Sequence, residues 1–332
     1  MDPFRASLIG VIISVAVALT FSGVFNVGPG DIAAIGLTTL AVASLLGVAR
    51  LFIRGLAFRI LIKSYAPDFG RSFNETLNVR LASEFVAMST PALVGGEILR
   101  VAWLSRAGVK AANGLWITTV EAFHDIAVVA AIGLLAAVYA VLRGDVWLGT
   151  IIAAAALLPA AVFVGVMLVV VGKMRLPWRW VRPVLDRFVG SARAASFTQN
   201  AESAWEDYAS AAKAYFHCSS ASLLLKMTAL SLVNGLLAGL IVFFLFSPDG
   251  MGFAASVLAA HAAFALGNLP VTPGGAGLNE LGISLFSSIE LGFTPWRLVV
   301  AWRIASYYVG LLITGITLVF LAGRAIMKPR DL

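Results

Sequence analysis

Six long apolar runs constrain the fold of this chain more than any other feature. They lie at residues 8–25, 32–53, 115–142, 146–171, 221–246 and 298–321. A helix needs roughly 20 apolar residues to cross the hydrocarbon core of a bilayer. Only 12% of the residues are charged, whereas a soluble domain normally carries about a quarter. We therefore predict an all-α fold, a polytopic membrane helix bundle forming one integral membrane domain over residues 1–332, and exclude a soluble globular enzyme.

Two interpretations of the first run are open. Its position after Arg5 would suit a secretory signal peptide, but it is long for one and no A-x-A cleavage site follows. We prefer a first transmembrane helix.

Lysine and arginine are concentrated on alternate sides of the apolar runs. Basic residues gather in a predicted loop that holds Arg50, Arg54, Arg59, Lys63 and Arg71, in a predicted amphipathic loop at residues 172–218, and in the tail after Arg324. The breaks at residues 26–31, 143–145 and 247–251 carry one arginine between them. Basic loops stay on the cytoplasmic side. Both termini are therefore predicted to be cytoplasmic, and the net charge of +7 does not indicate nucleic-acid binding.

Two further apolar regions, residues 73–112 and 251–293, are interrupted by helix-breaking residues. The breaks contain Pro91, Gly95 and Gly96 in the first region, and Pro270, Pro273, Gly274, Gly275 and Gly277 in the second. Proline and paired glycine end a helix. Each region must leave the membrane on the side where it entered, so we predict two re-entrant hairpins of half-helices that enter from opposite sides.

The two breaks resemble each other. Each has Thr-Pro, then small residues, then a glutamate, Glu97 in the first and Glu280 in the second. Similar breaks that enter from opposite sides are typical of inverted repeats in transporters. The alternative is two unrelated Pro-Gly kinks.

Charged residues inside the membrane are candidates for function, because burying them there costs several kcal/mol. Glu97 and Glu280 would lie in the first turn of the half-helix after each break. Each could cap free backbone N–H groups, orient an arginine or contact a headgroup. Arg100 shares a helix face with Glu97. Arg303 could face Glu280 or extend to the interface.

A third group, Glu121, His124 and Asp125, is expected near mid-bilayer, where it must point into the bundle. It could serve as a proton relay, as counter-ions for arginine or as a structural buried pair. Glycine-rich breaks that lead into helices could also bind phosphate. The predicted headgroup-binding residues are Pro91, Gly95, Gly96, Glu97, Arg100, Glu121, His124, Asp125, Pro273, Gly274, Gly275, Gly277, Asn279, Glu280 and Arg303.

We predict no catalytic, metal or cofactor site. Cys218 is the single cysteine, which excludes a disulfide framework and a thiolate cluster. The histidines match no metal-binding spacing.

These motifs resemble the lysylphosphatidylglycerol synthase/flippase transmembrane family. The residues that carry the resemblance are Pro91, Gly95-Gly96-Glu97-Ile98-Leu99-Arg100, Leu104-Ser105-Arg106, Glu121, Asp125, Pro273-Gly274-Gly275-Ala276-Gly277-Leu278-Asn279-Glu280 and Trp302-Arg303. The resemblance implies a bacterial inner-membrane protein that moves or accommodates lipids. Two departures are present: Ala122 stands where the family usually has arginine, and no aminoacyl-transferase domain follows before Leu332. We therefore expect no synthesis of aminoacyl lipids.

Two hypotheses for function remain. The first is a flippase-like protein that translocates an anionic, aminoacylated or glycosylated lipid. Arg100, Arg303 and the break backbones would bind the headgroup, and the carboxylates would orient them. The second is a non-transporting accessory subunit of an envelope lipid, hopanoid or glycolipid synthesis complex. The expected partners are membrane lipids, with a homo-oligomer or lipid-synthesis enzymes as further candidates, and no nucleic acid.

Overall fold

The computed structural model describes residues 3–90, 95–170, 202–214, 221–269 and 271–327, and all regular structure within these ranges is helical. The α-helices are α1 (Pro3–Val24), α2 (Pro29–Ala33), α3 (Leu37–Tyr65), α4 (Phe73–Met88), α5 (Gly95–Arg106), α6 (Ala111–Leu142), α7 (Val146–Val170), α8 (202–214), α9 (Ala221–Phe246), α10 (Phe253–Gly267), α11 (Leu278–Leu291), α12 (Trp296–Arg303) and α13 (Val309–Met327). A π turn, Ile304–Tyr308, joins α12 to α13 without a break.

Four of these helical stretches are long and apolar enough to cross a membrane. They are Ala111–Leu142, Val146–Val169, Ala221–Asp249 and Trp296–Gly323. The predicted runs at 115–142, 146–171, 221–246 and 298–321 coincide with them within a few residues. The run at 8–25 falls in α1, whose shorter apolar stretch is Val11–Val24. The all-helical, multi-pass membrane character is thus confirmed.

Helix α3 corrects one sequence prediction. Arg50, Arg54, Arg59 and Lys63 were assigned to a basic loop, but α3 continues through all four and ends at Tyr65. Its 29 residues span about 43 Å at 1.5 Å per residue. Several apolar residues between these charges are buried, among them Phe58, Leu61 and Ile62. Packing of this face, with no proline or paired glycine to interrupt it, keeps the segment helical.

Both interrupted regions form pairs of short helices. Helices α4 and α5 have 16 and 12 residues, or about 24 and 18 Å, which is less than the roughly 30 Å of a hydrocarbon core. Helices α10 and α11 have 15 and 14 residues and are similarly short. Residues 91–94 and 270 lie outside the described residues, and so does most of the predicted loop at 172–218.

Close helix packing within these pairs depends on small residues. A Cβ on Gly96 would lie 2.6 Å from the carbonyl oxygen of Ser83, so α5 packs directly on the backbone of α4. A Cβ on Gly282 would lie 2.8 Å from Cα of Ala263, which brings α11 equally close to α10. Alanines also fill the buried face of α10, including Ala259 and Ala262. Such small residues let membrane helices approach closely, so the two helices of each pair pack tightly against each other.

Candidate functional site

A continuous series of ion pairs links α3, α4, α5 and α6. We call it the charge network. It alternates acid and base through seven side chains in the order Asp125, Arg54, Glu84, Arg80, Glu121, Arg100 and Glu97.

Glu121 holds the centre of the charge network. Its Oε1 accepts a hydrogen bond from Nε of Arg80 at 2.8 Å. Its Oε2 lies 3.8 Å from Nε of Arg100. Arg100 in turn donates from Nη2 to Oε1 of Glu97 at 3.0 Å, one helical turn earlier on α5. One carboxylate of α6 therefore neutralises an arginine from each half of the first hairpin.

Glu84 and Arg54 connect this centre to α3. Glu84 pairs with Arg80 one turn earlier on α4 and with Arg54 across the helix interface. Arg54 also donates from Nη2 to Oδ2 of Asp125 at 2.9 Å. Asp125 accepts a further bond from the Ser231 hydroxyl at 2.9 Å.

Burial differs along the charge network. Arg80 and Glu121 are 3% and 4% exposed, so the centre is enclosed by protein. The side chains of Arg54 and Asp125 keep 29% and 25% of their surface exposed, and that of Glu97 keeps 31%. Charges in a membrane protein face the bundle interior or a wet cavity rather than lipid. The ends of the network are therefore less enclosed by protein than its centre.

The geometry supports the counter-ion interpretation of the Glu121, His124 and Asp125 group. The two carboxylates face different arginines, Arg80 and Arg54, although they share one helix face. His124 contacts Thr228 instead, with 3.2 Å between Nδ1 and the hydroxyl. These contacts differ from those expected of a proton relay in which the three groups hydrogen-bond to one another.

A second Glu–Arg pair lies at the break between α10 and α11. Nε of Arg303 lies 2.9 Å from Oε1 of Glu280. The other carboxylate oxygen, Oε2, accepts the backbone N–H of Gly277 at 2.9 Å. Glu280 is therefore both a helix cap and a counter-ion. Arg303 is only 4% exposed, so the alternative in which it extends to the interface is wrong.

The carbonyl groups of this second break are satisfied by side chains of the protein. Arg303 donates from Nη2 to the Gly274 carbonyl at 2.9 Å. Asn279 donates to the Gly274 and Gly275 carbonyls, each at 3.1 Å. Gly275 has φ +65°, and a Cβ there would lie 2.7 Å from the Gly267 carbonyl oxygen. The glycine at 275 thus permits contact with the protein's own backbone at the end of α10.

The end of α4 and the second break meet at a cluster of hydroxyl groups. The Tyr307 hydroxyl, on the π turn, donates to the carbonyl of Met88 at 2.9 Å, just before the first break. It also lies 3.0 Å from the Ser14 hydroxyl on α1. A Cβ on Gly274 would lie 2.5 Å from the Tyr307 oxygen. The ring of Tyr307 lies under Arg303, with 3.9 Å between the guanidinium carbon and the ring centroid.

Comparison with known proteins decides the family of the chain. Residues 7–314 match the family described as the lysylphosphatidylglycerol synthase TM region. The chain belongs to this family. No curated protein matches it, and no solved structure does. The match covers nearly the whole chain, as the sequence motifs predicted.

In this lysylphosphatidylglycerol synthase TM region, the predicted site residues fall into two groups. Glu97, Arg100, Glu121 and Asp125 join the charge network, and Gly95 and Gly96 begin the helix that supplies its far end. Pro273, Gly274, Gly275, Gly277, Asn279, Glu280 and Arg303 gather at the second break. Among the described residues, no ion pair connects the two groups. Pro91 lies outside the residues that the structure describes.

Sequence reasoning missed three members of the charge network, Arg54, Arg80 and Glu84. Arg80 and Glu84 are spaced i and i+4 in an apolar segment, which is the spacing of a helical ion pair. Arg50 and Arg54 have the same spacing within an uninterrupted apolar pattern. The i, i+4 spacing of Arg80 with Glu84 and the apolar residues around Arg54 were the sequence signals that could have placed these side chains inside the helix bundle. Within the described ranges, no group of histidine, cysteine or acidic residues could hold a metal ion.

Proposed function

We propose that this protein binds lipid headgroups at a polar centre, formed by the charge network and the Glu280–Arg303 pair, and moves lipids between the leaflets of a bacterial inner membrane. In this proposal six helices cross the membrane and both termini are cytoplasmic. The α4–α5 and α10–α11 pairs are re-entrant hairpins from opposite sides.

The observation that carries the proposal is the charge network within apolar helices. Breaking a buried ion pair leaves an uncompensated charge, which costs about 3–5 kcal/mol, whereas apolar replacements of whole pairs are often neutral. Stability alone therefore does not require seven linked charges. Partly exposed groups of both signs, namely Arg54, Asp125 and Glu97, would suit a polar route for a lipid headgroup.

The similar Glu–Arg pairs after the two breaks support the same function. Each break leads into a helix whose first turn carries a glutamate paired with arginine, Glu97 with Arg100 and Glu280 with Arg303. This correspondence fits an inverted repeat, in which one half rocks against the other around a shared central site. Family membership adds that the fold is a lipid-related membrane region.

The proposal is tested by reconstituting the purified protein into phosphatidylcholine vesicles that contain fluorescent phosphatidylglycerol. Dithionite bleaches the fluorophore in the outer leaflet only. The proposal predicts that folded protein speeds the loss of the protected inner-leaflet signal relative to protein-free vesicles. A folded protein that leaves this rate at the protein-free level contradicts the proposal and favours the accessory-subunit hypothesis.

A further inference from the structure

Arg50 differs from the arginines of the charge network because it has no carboxylate partner. Its Nε donates to Oδ1 of Asn234 on α9 at 3.1 Å. Its guanidinium carbon lies 5.0 Å from the centroid of the Phe264 ring on α10. Among the described residues no acidic group pairs with it, and no protein acceptor is hydrogen-bonded to its two terminal nitrogens.

The position of Arg50 makes these unused donors significant. It is the fourteenth of the 29 residues of α3, so it lies at the middle of the helix, far from either end. Arginine stays protonated in proteins, and its donors need acceptors when they are removed from water. Arg54, Arg80, Arg100 and Arg303 each satisfy this need with a carboxylate. Arg50 is half-buried, and the two terminal nitrogens of its guanidinium have no hydrogen-bond acceptor among the described residues.

The net charge of the charge network does not remove the need of Arg50 for hydrogen-bond acceptors. The charge network has four carboxylates and three arginines, so its net charge is −1, and Arg50 balances it through space. Charge balance at a distance supplies no hydrogen-bond acceptor. The terminal nitrogens of Arg50 therefore require a group that the described protein does not provide.

The neighbourhood of Arg50 fits a ligand that enters from the exposed end of the network. Arg54 is four residues further along α3, on the same face, and its side chain is partly exposed, as is that of its partner Asp125. Asn234 and Ser231 lie one turn apart on α9 and contact Arg50 and Asp125. Two arginines thus share one polar strip between α3 and α9.

We propose that Arg50 binds the phosphate group of a phospholipid, through its two free terminal nitrogens, while Asn234 fixes the orientation of its Nε. The planar guanidinium can hold two phosphate oxygens at once, which a lysine ammonium cannot. This site was not among the predicted headgroup-binding residues. The inference rests on the proposed function, because it names the headgroup chemistry that the transport route recognises.

The test measures thermal unfolding of the full chain in detergent with added dioleoylphosphatidylglycerol, dioleoylglycerol or inorganic phosphate. The two lipids share their acyl chains, and only the first carries phosphate. The wild type should be stabilised by dioleoylphosphatidylglycerol well beyond dioleoylglycerol. Arg50→Gln should weaken the apparent affinity for the phospholipid at least about tenfold, since it removes a charge-assisted bidentate contact. Stabilisation by inorganic phosphate alone would identify a free-phosphate site instead of a lipid site.

Arg59→Gln is the matched control. Arg59 lies on the same helix, donates to the neutral Thr76 hydroxyl and stacks on Phe69, but it is close to the end of α3. It should keep the wild-type phospholipid preference. If Arg50→Gln does not fold, Arg50→Lys keeps the charge and should still lose most of the preference.

Two results overturn the inference: a wild type with no phospholipid preference, or an Arg50 variant that retains the full preference. The vesicle assay separates this inference from the proposed function. Phospholipid stabilisation that depends on Arg50, without flipping by the wild type, would leave the site standing and contradict transport.

Discussion

The Tyr307 hydroxyl donates to the backbone carbonyl of Met88 across 2.9 Å, although the two residues are 219 positions apart. Met88 ends α4, immediately before the first break, and Tyr307 lies on the π turn that also contacts the second break. This hydrogen bond therefore ties the end of α4 to the π turn, which in turn lies against the second break. π turns within helices are frequent at functional sites, and this one places a hydroxyl where both hairpins can be held together.

Replacing Tyr307 by phenylalanine should uncouple the hairpins while preserving the ring under Arg303. The Met88 carbonyl and the Ser14 hydroxyl would each lose a partner, which should lower the free energy of unfolding by about 1–3 kcal/mol. We also expect slower lipid flipping in vesicles. Tyr308→Phe is the control, because the Tyr308 hydroxyl donates to the Ser14 carbonyl and not to the Met88 carbonyl. Equal flipping rates for both variants would argue against the coupling.

Glu121→Gln should be strongly destabilising. It leaves Arg80 and Arg100 buried with one fewer counter-charge, at a cost of about 3–5 kcal/mol. Asp249→Asn breaks the exposed pair with Arg297 and should cost no more than about 1 kcal/mol. Melting temperatures in the same detergent compare the two variants. Similar melting temperatures would show that the charge network is not a buried electrostatic unit.

Gly275→Ala should destabilise more than Gly277→Ala, although both glycines have positive φ. A positive φ is unfavourable for alanine at both positions, because alanine carries a Cβ. At Gly275 the added Cβ would also overlap the Asn279 side chain, with 2.3 Å to Nδ2, whereas nothing lies within 4 Å at Gly277. The difference in melting temperature between the two variants checks this. A more stable Gly275→Ala protein would mean that the tight contact with Asn279 is not present.

Cysteine labelling in intact cells tests the proposed topology. In a Cys218→Ser background, Asp145→Cys and Asp249→Cys should react with a membrane-impermeant reagent added outside. Lys63→Cys and Arg187→Cys should react only after the membrane is opened, since basic segments remain cytoplasmic. Labelling at Arg187→Cys in intact cells would contradict this topology.

Much of this arrangement follows from local sequence, and the remainder depends on tertiary packing. The pairing of Glu97 with Arg100 could be predicted because the two residues lie three positions apart on one helix. That of Glu280 with Arg303 was foreseen as one of two alternatives.

The arginines that the sequence analysis misplaced show which contacts local sequence cannot reveal. Arg50 and Arg54 were assigned to a cytoplasmic loop because basic residues usually mark that side. Only contacts with Asp125, Glu84 and Asn234 on other helices show that they lie inside the bundle. The hydrogen bond from Tyr307 to Met88 joins segments so far apart in sequence that no spacing rule reveals it.

The most direct test of the account is the flipping rate of Arg303→Lys in vesicles, expressed per folded protein. Arg303 contacts Glu280, the Gly274 carbonyl and the Tyr307 ring at once, and a lysine ammonium cannot reproduce the planar fork that does so. We expect flipping of fluorescent phosphatidylglycerol to fall about tenfold or more, with the charge retained and the protein folded. A folded Arg303→Lys protein that flips lipid at the wild-type rate would contradict the claim that the polar centre, with the Glu280–Arg303 pair as part of it, carries the function.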